Sequence, residues 1–307
     1  MRRELAPIAA MGFILVGSQF IALLIAPAFS AIGYQAFPEP ADPLNALFYI
    51  VLILVFTAVI LLLVRFRKRN FAKRLILASI LLTLGFVLLV PLWYLLSFIS
   101  DEILRGNLAA VLAFTLAAVL VWVLAKFPEW YVVDAIGITT AAGVTAIMGI
   151  SFAIVPAILL LVGLAAYDAW AVYRTKHMVA LADEMTSQRL PVLLVVPKRA
   201  DYSFRSQKPL REHLASGEER EAMFIGLGDV IIPGILAVSA YVSLDAGGTA
   251  IGGLASNAAV ALVTMLGSLL GFLVLMRLVL SGRPQAGLPL LNGGAILAFA
   301  AAYFVLY

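Results

Sequence analysis

Long apolar runs recur along the chain and alternate with shorter polar segments. Runs of about 17–25 apolar residues are long enough to cross a membrane as an α-helix. The pattern predicts nine such helices, at 8–28, 48–64, 75–99, 108–125, 132–149, 153–173, 223–244, 255–280 and 288–307. An all-α polytopic membrane protein is therefore the predicted fold class.

Two boundaries in this pattern have competing interpretations. Only Ile150-Ser151-Phe152 separates the fifth and sixth runs, so one long, broken helix is the alternative there. The first run follows Arg2 and Arg3 and could be a cleavable signal peptide. Its apolar part is longer than the roughly 7–15 residues of a signal sequence, so we favour a retained span.

The basic residues predict the orientation. Lys and Arg are enriched in cytoplasmic loops of membrane proteins. With a cytoplasmic N-terminus, all of the 21 Lys and Arg residues except Arg105 fall in inside segments. The outside loops instead carry acids: Glu39, Asp42, Asp101, Glu102 and Asp245. We therefore expect the C-terminus to lie outside.

The nine runs divide the chain into three parts. Residues 1–174 hold helices one to six, 175–222 form a long cytoplasmic loop, and 223–307 hold helices seven to nine. The loop contains an apolar island, Val192–Val196 between two prolines, which is typical of a short strand. This island either packs on the loop or the membrane surface, or offers an edge strand to an extended peptide.

The composition agrees with a membrane protein and removes several chemistries. Hydrophobic residues make up 64% of the 307 positions and charged ones 12%, against about 45–50% and about 25% in soluble domains. There is no cysteine, and both histidines, His177 and His213, lie in the polar loop outside any His-Glu-x-x-His motif. We expect no metal, no cofactor and no nucleic-acid partner.

Two carboxylates interrupt the apolar runs. Asp168 lies six residues from Arg174, about 9 Å along a helix, and Asp229 lies eight residues from Glu221, about 12 Å. Spans six and seven run in opposite directions, so we expect both acids at a similar depth near the inner face. An ionised side chain in the hydrocarbon layer costs a few kcal/mol or more, which makes such acids functional candidates. A third acid, Asp134, lies near the end of the fifth run.

Small residues surround these two acids. Gly226 and Gly228 remove side chains beside Asp229, and Pro233 weakens the helix one turn later. Ordinary helix packing is the simpler explanation of the glycines. With a carboxylate among them, we favour a site at which a substrate backbone approaches closely.

Two neighbouring carboxylates in a low-dielectric site tend to share one proton. In aspartic proteases the ionised acid takes a proton from water while the neutral acid polarises the scissile carbonyl. Asp168 and Asp229 are therefore the predicted catalytic pair.

Three motifs resemble those of the presenilin and signal peptide peptidase intramembrane aspartyl proteases. Tyr167-Asp168, Gly226-Leu227-Gly228-Asp229 and Pro289-Leu290-Leu291 are similar to the YD, GxGD and PAL motifs of that family, and the chain looks most like an archaeal presenilin homologue. Leu290 departs from the alanine of the PAL motif. The resemblance implies catalysis by the two acids and shaping of the active site by Tyr167, Gly226, Leu227, Gly228, Pro289, Leu290 and Leu291. For Pro289 a helix-start proline is the simpler explanation.

The resemblance also implies partners and location. Substrates are expected to be single transmembrane helices with their N-termini outside, cut within the bilayer of a prokaryotic plasma membrane. The substrate helix must unwind to expose its carbonyls, and the apolar island or the residues before Gly226 could accept the unwound strand. Self-association stays open.

A proton- or cation-coupled transporter or leak channel is the alternative, because intramembrane acids at equal depth suit such a carrier. Many carriers are built from repeated halves. Here both acids lie in adjacent spans of one region, which favours the protease.

Overall fold

The computed structural model describes residues 2–66, 69–175, 193–198, 202–203, 221–247, 253–280 and 285–307. Within these ranges the chain is mostly helical. The helices are α1 Arg2–Ala31, α2 Leu44–Arg65, α3 Arg69–Leu95, α4 Glu102–Lys126, α5 Trp130–Ser151, α6 Ile154–Trp170, α7 Leu227–Ser243, α8 Ser256–Val279 and α9 Leu288–Leu306. A π-helical turn, Ala171–Thr175, continues α6, and two strands, β1 Leu193–Pro197 and β2 Ala222–Gly226, precede α7.

Eight helices of the described ranges are long and apolar enough to cross a membrane, namely α1–α6, α8 and α9. This confirms a polytopic, mainly helical membrane protein. The seventh helix is shorter, with 17 residues, and begins at Leu227.

The predicted seventh span, 223–244, is wrong at its start. Residues Ala222–Gly226 form strand β2, because their backbone groups pair with β1. Asp229 is therefore the third residue of α7 and does not lie well inside a helix. The depth of about 12 Å calculated from Glu221 is also wrong, since an extended chain rises about 3.3 Å per residue and a helix about 1.5 Å.

The fifth and sixth runs form two helices, so the alternative of one broken helix is wrong. The α5 helix ends at Ser151 and α6 begins at Ile154. The Oγ of Ser151 accepts the Ala36 N–H at 2.7 Å, and the Ala153 N–H donates to the Pro40 carbonyl at 2.8 Å. The segment between α1 and α2 thus stabilises the turn between α5 and α6. 

The first helix is buried on one side by its own neighbours. Gln19 is 1% exposed, and its Oε1 accepts a hydrogen bond from Ser268 of α8 at 3.2 Å. The retention of the first run as a span stays a prediction.

The chain divides into two compact units. The first comprises Met1–Phe56, Thr145–Leu181 and Gly228–Tyr307. Its core is built from apolar side chains of α6, α7, α8 and α9, among them Leu160, Leu161, Ile235, Val260 and Phe299.

The second unit comprises Thr57–Val144 and Ala182–Leu227. Side chains of α3, α4, the first half of α5 and the two strands form its core, among them Leu84, Ala117, Val133, Ile136, Val195 and Ala222. The apolar island is thus a strand, as predicted, and it packs on helices rather than lying alone on a surface.

Two further residues of the long loop, Tyr202 and Ser203, also pack on this unit. Ser203 Oγ donates to both carboxylate oxygens of Glu129, at 3.0 and 3.2 Å. Burial raises the pKa of Tyr202 above its ordinary value, and the carboxylates of Glu221, Glu129 and Asp134 act in the same direction. Both loop histidines lie outside the described residues.

Helices α8 and α9 pack backbone to backbone. A Cβ on Gly267 would overlap the Gly294 carbonyl, and a Cβ on Gly271 would overlap the Leu290 carbonyl. Small residues four apart allow such close helix contacts in membranes. These two close contacts therefore fix the position of α9 along α8.

Replacing Gly271 with Ala is expected to destabilise the protein by about 1–3 kcal/mol, because the new methyl group meets backbone that cannot rotate away. Thermal unfolding in detergent micelles measures this loss. Gly17→Ala is the matched control, since a Cβ there meets no atom within 4 Å in the part of the chain that the structure describes. Equal stability of the two variants would contradict the close-packing argument.

Candidate active site

Asp168 lies near the end of α6 and is 6% exposed. Its Oδ2 accepts a hydrogen bond from the backbone N–H of Leu288, the first residue of α9, at 3.1 Å. The first N–H groups of a helix have no partner within the helix, so they are available to a carboxylate. The start of α9 thus orients Asp168.

Asp229 lies in the first turn of α7 and is partly buried. Its carboxylate rests against the Cα of Gly287: a Cβ at that position would lie 3.2–3.3 Å from Oδ1, Cγ and Oδ2. The backbone of Gly287 has φ −78° and ψ −49°, which any residue can adopt. The glycine is therefore needed for space and not for its conformational freedom.

One dipeptide therefore contacts both acids. Gly287 lies against Asp229 and Leu288 bonds to Asp168, and the Cα atoms of neighbouring residues are about 3.8 Å apart. The structure thus brings together the two carboxylates that the sequence singled out. Both acids therefore border one short segment of backbone at the start of α9.

The residues flanking the two acids have different surroundings. Gly228 is exposed, and a Cβ there would meet no atom of the described residues within 4 Å, so open space adjoins Asp229 in this part of the structure. Gly226 ends β2 and Leu227 begins α7. The Tyr167 ring packs against Trp170, with centroids 6.3 Å apart.

The Pro289-Leu290-Leu291 segment forms the first turn of α9. Pro289 occupies one of the first two helical positions, as a helix-start proline does. The Leu290 carbonyl lies against Gly271, and Leu291 is fully buried. Through Gly287 and Leu288 just before it, this segment is tied to both acids.

Sequence reasoning missed Gly287, Leu288 and Asn292. The Nδ2 of Asn292, which is fully buried, donates to the Leu161 carbonyl at 2.8 Å and so links α9 to α6. A polar side chain in an apolar run could have indicated Asn292. Leu288 acts through its backbone N–H, which no side-chain pattern reveals.

Comparisons with known proteins agree with this arrangement. The family model described as signal-peptide peptidase, presenilin aspartyl protease matches residues 11–306. A crystal structure of a presenilin family intramembrane aspartate protease in space group C222 is 33% identical, with a TM-score of 0.67, and covers 97% of this chain and 99% of its own. A second, in space group P2, is 32% identical, with a TM-score of 0.65 and coverage of 97% and 98%. No curated protein matches.

Its similarity to two intramembrane aspartate proteases over nearly its whole length makes this helical membrane protein an intramembrane aspartic peptidase. The chain belongs to the signal-peptide peptidase and presenilin aspartyl protease family. Membership in this protease family favours a peptidase over the alternative of a transporter or leak channel.

Proposed function

We propose that this protein cleaves transmembrane helices of other membrane proteins within the bilayer, using Asp168 and Asp229 to activate water. The observation that carries the proposal is the contact of one dipeptide, Gly287-Leu288, with both carboxylates.

In this mechanism one carboxylate is ionised and the other is protonated. The ionised acid takes a proton from water as the oxygen attacks the scissile carbonyl, and the protonated acid donates to the carbonyl oxygen. The resulting gem-diol then collapses: the acid that is now ionised takes a proton from one hydroxyl, the C–N bond breaks, and the amine leaves with the proton of the other acid. The Leu288 N–H keeps Asp168 oriented, and the open space at Gly228 admits the substrate.

We further propose the orientation and substrates suggested by the basic residues and the family motifs. The N-terminus is cytoplasmic, the C-terminus lies outside, and substrates are single helices with their N-termini outside. The prokaryotic plasma membrane and a division of the chain into six helices, a cytoplasmic loop and three further helices belong to the same proposal, with the seventh helix beginning at Leu227. Attachment of a reporter to each terminus, followed by protease accessibility in right-side-out vesicles, tests the orientation.

A substrate helix must unwind before its carbonyls can react, and we propose that a strand edge accepts the extended segment. Of the two segments considered for this role, β2 is the better candidate. Strand β1 has β2 along one edge, and at the other edge its Val195 N–H donates to Asp134. An unwound substrate strand is therefore proposed to add along the side of β2 that faces away from β1.

Incubating the purified protein with a labelled transmembrane peptide, with and without an aspartyl-protease transition-state analogue, tests the activity. Cleavage within the apolar segment that the analogue blocks supports the proposal. Persistent absence of cleavage across several peptides in both micelles and liposomes contradicts it.

The cleavage rate is expected to show a bell-shaped dependence on pH. Activity needs one proton on the pair, so it falls when both acids are ionised at high pH and when both are protonated at low pH. The two apparent pKa values belong to the pair. Measurement of kcat/KM across the range where the protein stays folded checks this, and a flat profile would refute proton sharing.

A further inference from the structure

A third acid outside the dyad, Asp134 of α5, is nearly fully buried, with 7% exposure. Its Oδ1 accepts the backbone N–H of Val195 in β1 at 2.7 Å, a short hydrogen bond. A buried carboxylate is expensive unless it is hydrogen-bonded, and an uncharged acceptor would satisfy one N–H at lower cost. The presence of a carboxylate at this position therefore needs a reason other than core packing.

The register shows which edge of β1 Asp134 holds. The strands are antiparallel, with Val195 opposite Phe224, and the Lys198 N–H donates to the Glu221 carbonyl at 2.9 Å. Hydrogen-bonded and non-hydrogen-bonded pairs alternate along such a ladder. The Val195 N–H therefore points away from β2. Asp134 thus binds the outer edge of β1 in the two-stranded β1–β2 ribbon.

Gly137, one helical turn after Asp134, supplies the second half of this contact. A Cβ there would lie 2.5 Å from Leu194 Cδ2 and 3.5 Å from Leu227 Cδ1. Leu194 is fully buried. The missing side chain thus makes room for Leu194 of β1, and Leu227, the first residue of α7, lies beside it. We call Asp134 and Gly137 together the α5 seat.

We propose that the α5 seat positions the β1–β2 ribbon for proteolysis, with Asp134 and Gly137 as positioning residues that set which peptide bond reaches the dyad. Only Leu227 and Gly228 separate β2 from Asp229 along the chain, and the Leu227 side chain lies 3.5 Å from where a Cβ on Gly137 would be. If a substrate strand adds to β2, a shift of the ribbon by one residue changes the bond presented. The inference rests on the proposed function.

The first test compares Asp134→Asn with Asp134→Leu. Asn keeps an oxygen acceptor for the Val195 N–H, whereas Leu has a similar volume and no acceptor. Amide hydrogen exchange over residues 193–197 is expected to be about tenfold faster in Asp134→Leu and near the wild-type rate in Asp134→Asn. Products of a labelled transmembrane peptide, resolved by mass spectrometry, should shift in position for Leu and keep the wild-type ratio for Asn.

The second test is a double-mutant cycle across the seat. Gly137→Ala should push Leu194 away and change the product ratio, and Leu194→Ala removes the clashing atom, so the double variant should recover part of the wild-type ratio. Gly143→Ala is the matched control on the same helix, because a Cβ there overlaps Val87 and not the ribbon. It should lower the unfolding temperature without shifting the cleavage position.

These measurements separate failure of the seat from failure of the proposed function. Wild-type exchange rates or wild-type product ratios in Asp134→Leu would overturn the seat, as would an additive Gly137–Leu194 cycle. If the proposed function is wrong, the Asp229→Asn variant still cleaves the labelled peptide. The exchange measurement does not depend on proteolysis, so it reports on the seat in either case.

Discussion

Replacing Asp168 or Asp229 with Asn is expected to abolish cleavage, with a loss of roughly 10³-fold or more in kcat for each single variant. Asn matches Asp in size but neither takes a proton from water nor donates a carboxyl proton. Either change removes one half of the proton-sharing pair, so the double variant should be no worse than each single one. Turnover of a reconstituted transmembrane peptide measures the effect.

The folded state must survive these substitutions for the result to bear on catalysis. Thermal unfolding in detergent is expected to stay near the wild-type midpoint, because Asn can still accept the Leu288 N–H that bonds to Asp168. Asp245→Asn, at an exposed acid after α7, is the matched control and should retain full activity. Substantial turnover by either dyad variant would rule the pair out.

The second large effect is expected at Gly287. Ala there places a Cβ 3.2–3.3 Å from three atoms of the Asp229 carboxylate, and Val adds two further methyl groups. Because the backbone of Gly287 suits any residue, the effect is steric. We expect activity to fall about 10-fold for Ala and 10²-fold or more for Val, as expected when a catalytic group is displaced by about 1 Å.

Gly293→Ala provides the control for this series. Gly293 lies six residues later, within α9, and a Cβ there would meet no atom of the described ranges within 4 Å. Its activity and stability should match or exceed those of the wild type. A Gly287→Val enzyme as active as Gly293→Ala would show that Asp229 does not depend on this contact.

The two acids were predictable because the membrane makes them conspicuous. An apolar run that keeps a carboxylate does so against an energetic penalty of a few kcal/mol or more, and this holds for Asp168 and Asp229 without knowledge of any contact. The helices were predictable for a related reason: in hydrocarbon the backbone must satisfy its own hydrogen bonds, so a long apolar run becomes a helix.

The start of α7 was not predictable in this way. Residues 222–226 continue the apolar run of α7 without a polar break, so nothing local distinguishes strand from helix. Their strand conformation depends on pairing with Leu193–Pro197, which lies 25 residues or more away in sequence. The same pairing moves Asp229 from the interior of a helix to its first turn.

The sequence by itself determined a helical membrane protein with two acids in neighbouring helices, because length, hydropathy and the cost of buried charge are properties of the chain. Only the tertiary structure decided which groups hold those acids. Gly287 contributes space and Leu288 a backbone N–H, and Asp134 meets a strand some 60 residues away. Such contacts leave no signature in a side-chain pattern, since any residue has a backbone and a glycine is defined by what it lacks.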